Sequence, residues 1–289
     1  MIYSDWTISN KTRLFCVIGH PMDKSLSPIM HNEAFQVKNL DYVYLAFDVG
    51  KPFLKEAVDG LRALGTRGFN VTMPHKTTII EYIDNIDERA SLVGAVNTIV
   101  NDDGKLTGYN TDVDGIISAF ETKVGSLKGL RALLIGSGGA ARACIVAMVL
   151  KGCKNINITN RTFDKARNMV DELSKKLKMN CKVEELTISS LKRAISSIDI
   201  LINATPVGTY PRLNESIVPK DLISSDMIVF DVVYNPKETK LIRDAKEMGA
   251  KTIPGYEMFV RQGAASFKLW TGMDAPIDIM KRAVLRALR

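Results

Sequence analysis

The sequence predicts a two-domain α/β chain in which one domain is a doubly wound parallel sheet. The chain has 289 residues, which at about 150 residues per domain divides into roughly two. Apolar strand-like runs alternate with stretches of helical spacing almost from end to end, the pattern of parallel strands joined by helical crossovers. A glycine-rich turn, Gly136-Ser137-Gly138-Gly139-Ala140-Ala141, lies between an apolar run and a helical stretch. Hydrophobic residues make up 46% and charged residues 25%, the balance of a chain that buries a core.

Taken in order, residues 13–19 read as a first strand. Ser27 is placed as a helix N-cap with Pro28 at the first helical position, and Met30, Ala34 and Val37 follow along one face. Residues 42–49 have strand character, and Leu54, Ala57, Val58 and Leu61 recur at helical spacing. A short strand at 67–71 enters Thr72-Met73-Pro74-His75-Lys76, after which another helix is expected. Strands at 97–100 and 105–109 flank Asn101-Asp102-Asp103-Gly104, a hairpin turn. The second series has strands at 131–135, 156–159, 182–184, 199–202, 227–231 and 251–253. Two helices, at about 258–270 and 275–288, close the chain.

Several function classes fall away. Cys16, Cys144, Cys153 and Cys181 show no C-x-x-C spacing and no linked histidine, so they read as reduced core thiols of a cytoplasmic protein, with no metal constellation. No apolar stretch nears the roughly 18 residues of a membrane span. The opening Met1-Ile2-Tyr3-Ser4-Asp5 lacks the basic and apolar regions of a signal peptide. The formal net charge is +7, but the densest basic sets, Lys175 to Lys178 and Lys281 to Arg289, alternate with apolar residues as solvated helix faces do. Neither a basic stripe nor interleaved aromatics marks a nucleic-acid partner. An anionic small molecule stays compatible with the charge.

The glycine turn has the form G-x-G-x-x-A of a dinucleotide fingerprint, in its strand-before, helix-after context. Gly136 permits the tight turn, Gly138 lets the backbone approach a pyrophosphate, and Ala141 keeps helix and strand close, so that free N–H groups face the anion. A purely structural turn would use the same glycines. About 20 residues on, where such folds choose their cofactor, stand Asn160-Arg161-Thr162, with Lys165 beyond. No carboxylate is placed for both ribose hydroxyls, and a guanidinium suits a 2′-phosphate, so NADP is favoured over NAD. The alternative is that Arg161 is an exposed loop cation, and Asp164 blunts the preference.

Polar clusters recur before the glycine turn, where open α/β sheets place ligands. They are Ser25-Leu26-Ser27-Pro28, Asn70 to Lys76, Gly94-Ala95-Val96-Asn97-Thr98 and Gly108-Tyr109-Asn110-Thr111-Asp112. Each alone is as readily a turn or cap. Together, beside a nicotinamide domain, they suggest a small polyhydroxylated substrate.

With Asn203-Ala204-Thr205-Pro206, Gly208, Tyr234-Asn235-Pro236 and the run from Gly255 through Gln262 to Trp270-Thr271-Gly272, these motifs follow one order over nearly the whole chain. In that order they resemble the shikimate dehydrogenase family, including its quinate/shikimate branch. The resemblance implies reversible, NADP-dependent reduction of 3-dehydroshikimate to shikimate. It implies that Ser25 and Ser27 hold the substrate carboxylate and that Asn70, Thr72, Asn97, Asp112 and Gln262 bond its hydroxyls. Lys76 and Asp112 are the implied catalytic pair, although a surface salt bridge would use the same residue types. Ala204, Thr205, Pro206 and Gly255 would bind the cofactor, and Tyr234 would line the nicotinamide pocket and contact the substrate. Met258 would pack on the ring or serve as an ordinary core residue. His20, His31 and His75 are poor catalytic candidates.

The resemblance also implies a split substrate domain, residues 1–112 completed by 255–289, around a Rossmann dinucleotide-binding domain at 113–254, in a monomer or homodimer. Tyr44-Leu45-Ala46-Phe47 and Asn101 to Gly104 resemble the branch that also accepts quinate and NAD, whereas Arg161-Thr162 resembles the NADP-specific one. A catalytically silent ligand sensor on the same scaffold is the third possibility; retention of Lys76 and Asp112 argues against it.

Overall fold

Strand β1 (Arg13–Gly19) is buried from Phe15 onward because strands flank it on both sides. It opens a computed structural model that describes residues 7–288, so the opening Met1 to Asp5, whose sequence lacks signal-peptide features, and the terminal Arg289 lie outside the described residues. Helix α1 (Ser27–Val37) returns the chain to β2 (Tyr42–Asp48), parallel to β1. Helix α2 (Leu54–Ala63) buries Leu54, Val58 and Leu61 on one face and leads to β3 (Gly68–Val71), which pairs with the other side of β1. Strand β4 (Asn85–Ile86), helix α3 (Glu88–Val93) and the hairpin β5 (Thr98–Asp102) and β6 (Lys105–Tyr109) follow.

The sheet order is β2-β1-β3-β5-β6-β4, with β5 antiparallel to both neighbours. The β5–β6 hairpin was expected; the antiparallel pairing of β5 with β3 makes the sheet mixed where parallel pairing was otherwise expected. Two local expectations are also corrected. The segment after Lys76 forms only a short 3-10 helix, Thr78–Tyr82, because the chain must then descend to pair β4 with β6. The Asp84 carboxylate holds it there by accepting the Leu106 N–H at 2.7 Å. Ser27 is the first helical residue rather than the N-cap, and no side chain caps α1.

Helix α4 (Thr111–Lys123) leads to β7 (Arg131–Ile135), α5 (Gly139–Leu150), β8 (Asn155–Asn160), α6 (Phe163–Ser174), β9 (Cys181–Glu185) and α7 (Ile188–Ile195). Then come β10 (Ile200–Asn203), β11 (Ile228–Asp231), α8 (Lys240–Glu247) and β12 (Lys251–Ile253), before α9 (Gly255–Thr271) and α10 (Ile277–Ala287). The second sheet is parallel in the order β12-β11-β10-β7-β8-β9. Its direction of growth reverses between β7 and β10, the switch point at which such sheets bind ligands. Its centre is apolar on both faces: Leu133, Leu134, Ile135, Leu201 and Ile202 are at most 1% exposed, and burying each such side chain stabilises the fold by about 1.5–3 kcal/mol.

The chain divides into two compact units, residues up to Thr111 with Gln262–Ala287, and Asp112–Arg261. The breaks expected after residues 112 and 254 differ most at α9. Its first turns belong to the second unit, where Phe259 stacks on Tyr234 at 4.2 Å and Glu257 takes an ion pair from Lys123 at 3.6 Å. In the first unit, Trp270 Nε1 near the end of α9 donates to the Ile99 carbonyl at 2.9 Å. Helix α10 packs on α1, and Arg286 pairs with Glu33.

Among the cysteines only Cys16 and Cys144 are buried; Cys153 and Cys181 are half-buried, so the core expectation holds for two of the four. All are free thiols, and burial pushes Cys153 up to about 11 and Cys181 to about 12. No helix among the described residues is long and apolar enough to cross a membrane.

Candidate active site

In the first unit the polar residues gather at one end of the sheet, because register places them there. Asn70 stands opposite Thr98, and Thr98 opposite Tyr109, just before Thr111. Asn70 Nδ2 donates to the Asn97 carbonyl at 3.0 Å, Thr98 Oγ1 at 3.0 Å and Ser266 Oγ at 3.1 Å. Its Oδ1 accepts from Tyr44 Oη at 2.6 Å. Asn97 Nδ2 donates to Thr111 Oγ1 at 3.0 Å and Gln262 Oε1 at 3.3 Å, while Asn97 Oδ1 accepts the Thr111 N–H at 2.7 Å. All of these side chains are buried. An unpaired buried polar group costs about 1–3 kcal/mol, so the network fixes which way each amide faces.

The turn leaving β3 carries Thr72 and Lys76, and it is stitched down on both sides. Thr72 N–H donates to the Ile18 carbonyl at 2.9 Å, and Val96 N–H to the Lys76 carbonyl at 2.7 Å. This holds the half-buried Lys76 close in the backbone to Asn97. His75 is turned away, 1% exposed, with Nε2 at 2.7 Å from the Val49 carbonyl. His20 pairs with Asp48 at the surface, and His31 is buried. Ser25 Oγ accepts the Ser27 N–H at 3.4 Å.

Of the expected substrate residues, Ser25, Ser27, Asn70, Thr72, Lys76, Asn97 and Gln262 therefore fall in the first unit, while Asp112 and Tyr234 fall in the second. Asp112 is 3% exposed in the first turn of α4, where the helix dipole favours a carboxylate. Burial pushes the Tyr234 phenol up to about 12, so it stays an O–H donor through the neutral range.

The glycine turn occupies the switch point of the second sheet. Gly136 has φ +127°, and a Cβ there would lie 2.7 Å from the Ala204 carbonyl oxygen, so the turn between β7 and α5 must be glycine. Gly138 is the N-cap of α5; no side chain caps this helix, and a Cβ at Gly138 would meet nothing within 4 Å. Ser137, Gly139 and Ala140 are partly exposed beside it, and Ala141 is buried against the sheet. Uncapped N–H groups beside open space fit a pyrophosphate. At the end of β8, Asn160 Nδ2 donates to the Thr162 carbonyl at 2.8 Å, and Arg161, Thr162 and Lys165 are exposed. Ala204, Thr205 and Pro206 leave β10, with Thr205 N–H and Oγ1 both donating to Asn203 Oδ1, at 3.0 and 2.7 Å. Gly255 and Met258 are buried in the first turns of α9, which makes Met258 at least a packing residue.

Thr98 and Thr111 stood within the polar motifs without a role of their own, and sequence reasoning passed over Tyr44 and Ser266 as members of this cluster, and Asp231 and Thr239 in the second unit. A tyrosine on an apolar strand and a serine inside a helix carry no local signal. Asp231 at a strand end, shortly before an N-cap threonine, did.

Comparison with known proteins agrees with this arrangement. Residues 17–99 match the shikimate dehydrogenase substrate binding domain, residues 118–252 the shikimate / quinate 5-dehydrogenase model, and residues 255–285 the shikimate 5'-dehydrogenase C-terminal domain. A shikimate dehydrogenase (NADP(+)) of Methanocaldococcus jannaschii is 48% identical over 96% of this chain and 98% of its own length. The crystal structure of a shikimate dehydrogenase in complex with NADP+ superposes with a TM-score of 0.92 at 45% identity, covering 98% of each chain. Shikimate 5-dehydrogenase of Listeria monocytogenes, in complex with shikimate and NAD, gives a TM-score of 0.88 at 41% identity over 95% of this chain and 97% of that one. With three models of the family matched in order and a relative 48% identical along nearly its full length, the chain belongs to the shikimate dehydrogenase family.

Proposed function

We propose that this chain catalyses the reversible, NADP-dependent reduction of 3-dehydroshikimate to shikimate, with Lys76 and Asp112 as the catalytic pair. The observation that carries this is the convergence of Asn70, Asn97 and Gln262 into one buried amide–hydroxyl cluster. A cluster with its amides fixed in advance recognises several hydroxyls on one small ring and rejects analogues that lack them. Asn70 keeps one carbonyl lone pair for a substrate hydroxyl, since Tyr44 takes the other. Thr72 adds a hydroxyl from the neighbouring turn, and Ser25 and Ser27 supply donors for the carboxylate.

Bound NADPH supplies the hydride. As the ketone carbon is reduced, its oxygen gathers negative charge, which the Lys76 ammonium stabilises and then neutralises by giving up a proton. In oxidation the Lys76 amine takes that proton back. Asp112 orients the ammonium and a substrate hydroxyl through charge-assisted bonds. Gly136 to Ala141 hold the pyrophosphate, and Asn160, Arg161, Thr162 and Lys165 the 2′-phosphate. Ala204 to Pro206, Tyr234, Gly255 and Met258 enclose the nicotinamide.

Initial rates with shikimate and quinate, each against NADP+ and NAD+, test the proposal. Turnover concentrated in the shikimate–NADP+ combination is expected. Comparable efficiency with quinate assigns the broader branch, and cofactor binding without oxidation of either substrate assigns a sensor.

A further inference from the structure

Asp231, which takes no direct part in the chemistry above, ends β11 with its side chain fully buried. Three donors from three segments converge on its carboxyl. Asn203 Nδ2, at the end of β10, donates to Oδ1 at 3.0 Å. The Val233 N–H, in the segment leading to Tyr234, donates to the same oxygen at 3.0 Å. Thr239 Oγ1 donates to Oδ2 at 2.6 Å while also capping α8 through the Ile242 N–H.

Each partner extends the reach of Asp231. Asn203 turns its own carbonyl to Thr205, accepting both the N–H and the hydroxyl, and donates to the Val207 carbonyl at 3.2 Å. That makes the Ala204-Thr205-Pro206 exit of β10 a closed turn. On the other side, a Cβ on Gly255 would fall 2.4 Å from the Val233 carbonyl oxygen. The segment fixed by Asp231 is thus pressed directly against the start of α9. Beside the other loop, a Cβ on Gly136 would fall 2.7 Å from the Ala204 carbonyl oxygen.

We propose that Asp231 is a positioning residue for the dinucleotide, locking the two loops that leave β10 and β11 so that they stand preformed around the nicotinamide. The inference rests on the cofactor site proposed above. Its logic is preorganisation: the loops are ordered before the cofactor arrives, so binding does not have to order them. Asn203 acts as the relay and Thr239 as the anchor to α8.

The test is Asp231→Asn, a near-isosteric change that replaces one acceptor with a donor pair, compared with wild type by circular dichroism, fluorescence titration with NADPH and steady-state kinetics. The expected result is a folded enzyme whose NADPH Kd and KM rise by about tenfold, with KM for 3-dehydroshikimate within about twofold of wild type. A residue that only supported the fold would lower the active fraction and leave both KM values in place. Unchanged KM values, or equal rises in both, would overturn the inference. If Asp231→Asn does not fold, Thr239→Val is judged in the same way: a selective rise of about threefold in KM for NADPH supports the inference, and no selective rise overturns it. A wild type that fails to bind NADPH would overturn the cofactor site itself. A wild type that binds it, with Asp231→Asn indistinguishable, would overturn only the role of Asp231.

Discussion

Tyr44 Oη donates a 2.6 Å hydrogen bond to Asn70 Oδ1, and this bond joins the edge strand of the first sheet to the centre of the polar cluster. Tyr44 is itself pinned from outside, since the Asn32 amide pairs with both its carbonyl, at 2.9 Å, and its N–H, at 2.8 Å. Its ring stacks on His31 with centroids 4.5 Å apart. Asn70 therefore has little freedom to turn its amide.

Replacing Tyr44 with Phe removes that donor and keeps the ring. The orphaned Asn70 carbonyl should lower stability by about 1–3 kcal/mol. KM for shikimate should rise by about three- to tenfold, with KM for NADP+ within about twofold. Thermal melting and steady-state kinetics read the two effects separately.

Arg161 and Lys165 should discriminate between cofactors. Losing a charge-assisted bond to a phosphate is worth about 1.5–3 kcal/mol. Arg161→Ala should accordingly raise KM for NADP+ by about ten- to a hundredfold and leave KM for NAD+ nearly unchanged. Equal effects on both cofactors would make Arg161 a loop cation.

His31 sets an acid limb of stability. Burial lowers its pKa from 6.5 to about 3, and neither ring nitrogen has a hydrogen-bond partner. The folded state holds the neutral ring, whereas the unfolded chain takes up a proton below pH 6.5. The stability is thus fully present above 6.5 and is lost as pH falls toward 3. At pH 5.5 the loss is about 1.4 kcal/mol. His31→Leu should flatten the decline of Tm over this window, and a slope equal to wild type would show that other groups control it.

Gly136→Ala should disable the nucleotide site. The φ of +127° and the 2.7 Å approach to Ala204 leave no room for a methyl group. Strain of about 1–3 kcal/mol should appear as a lower Tm. NADPH binding by fluorescence should weaken sharply, and shikimate binding by calorimetry should persist.

Much of this molecule was legible because the signals are local. The β7–turn–α5 unit follows from an apolar run, a glycine pattern and a helical period, all within residues 131–150. The candidates from Ser25 to Asp112 were also legible as polar motifs, whereas Tyr234, Met258 and Gln262 were reached only through the family resemblance. What could not be read was how they are held, because those partners are remote in sequence: Asn70 and Ser266 are 196 positions apart. The N-cap expected at Ser27 failed at the level of a single residue: the helix starts one position earlier than expected, with Leu26 at the cap position and no side chain capping it. The continuity of α9 through the break between units lies likewise in packing, with Phe259 on Tyr234 and Trp270 on Ile99.

Lys76→Ala tests the central claim most directly, with single-turnover oxidation of shikimate by NADP+ measured beside shikimate binding by calorimetry. The rate should fall by about 10²–10⁴-fold, while shikimate still binds through Ser25, Ser27, Asn70, Asn97 and Gln262. A variant that oxidises shikimate at close to the wild-type rate would contradict the assignment of the proton transfer to Lys76.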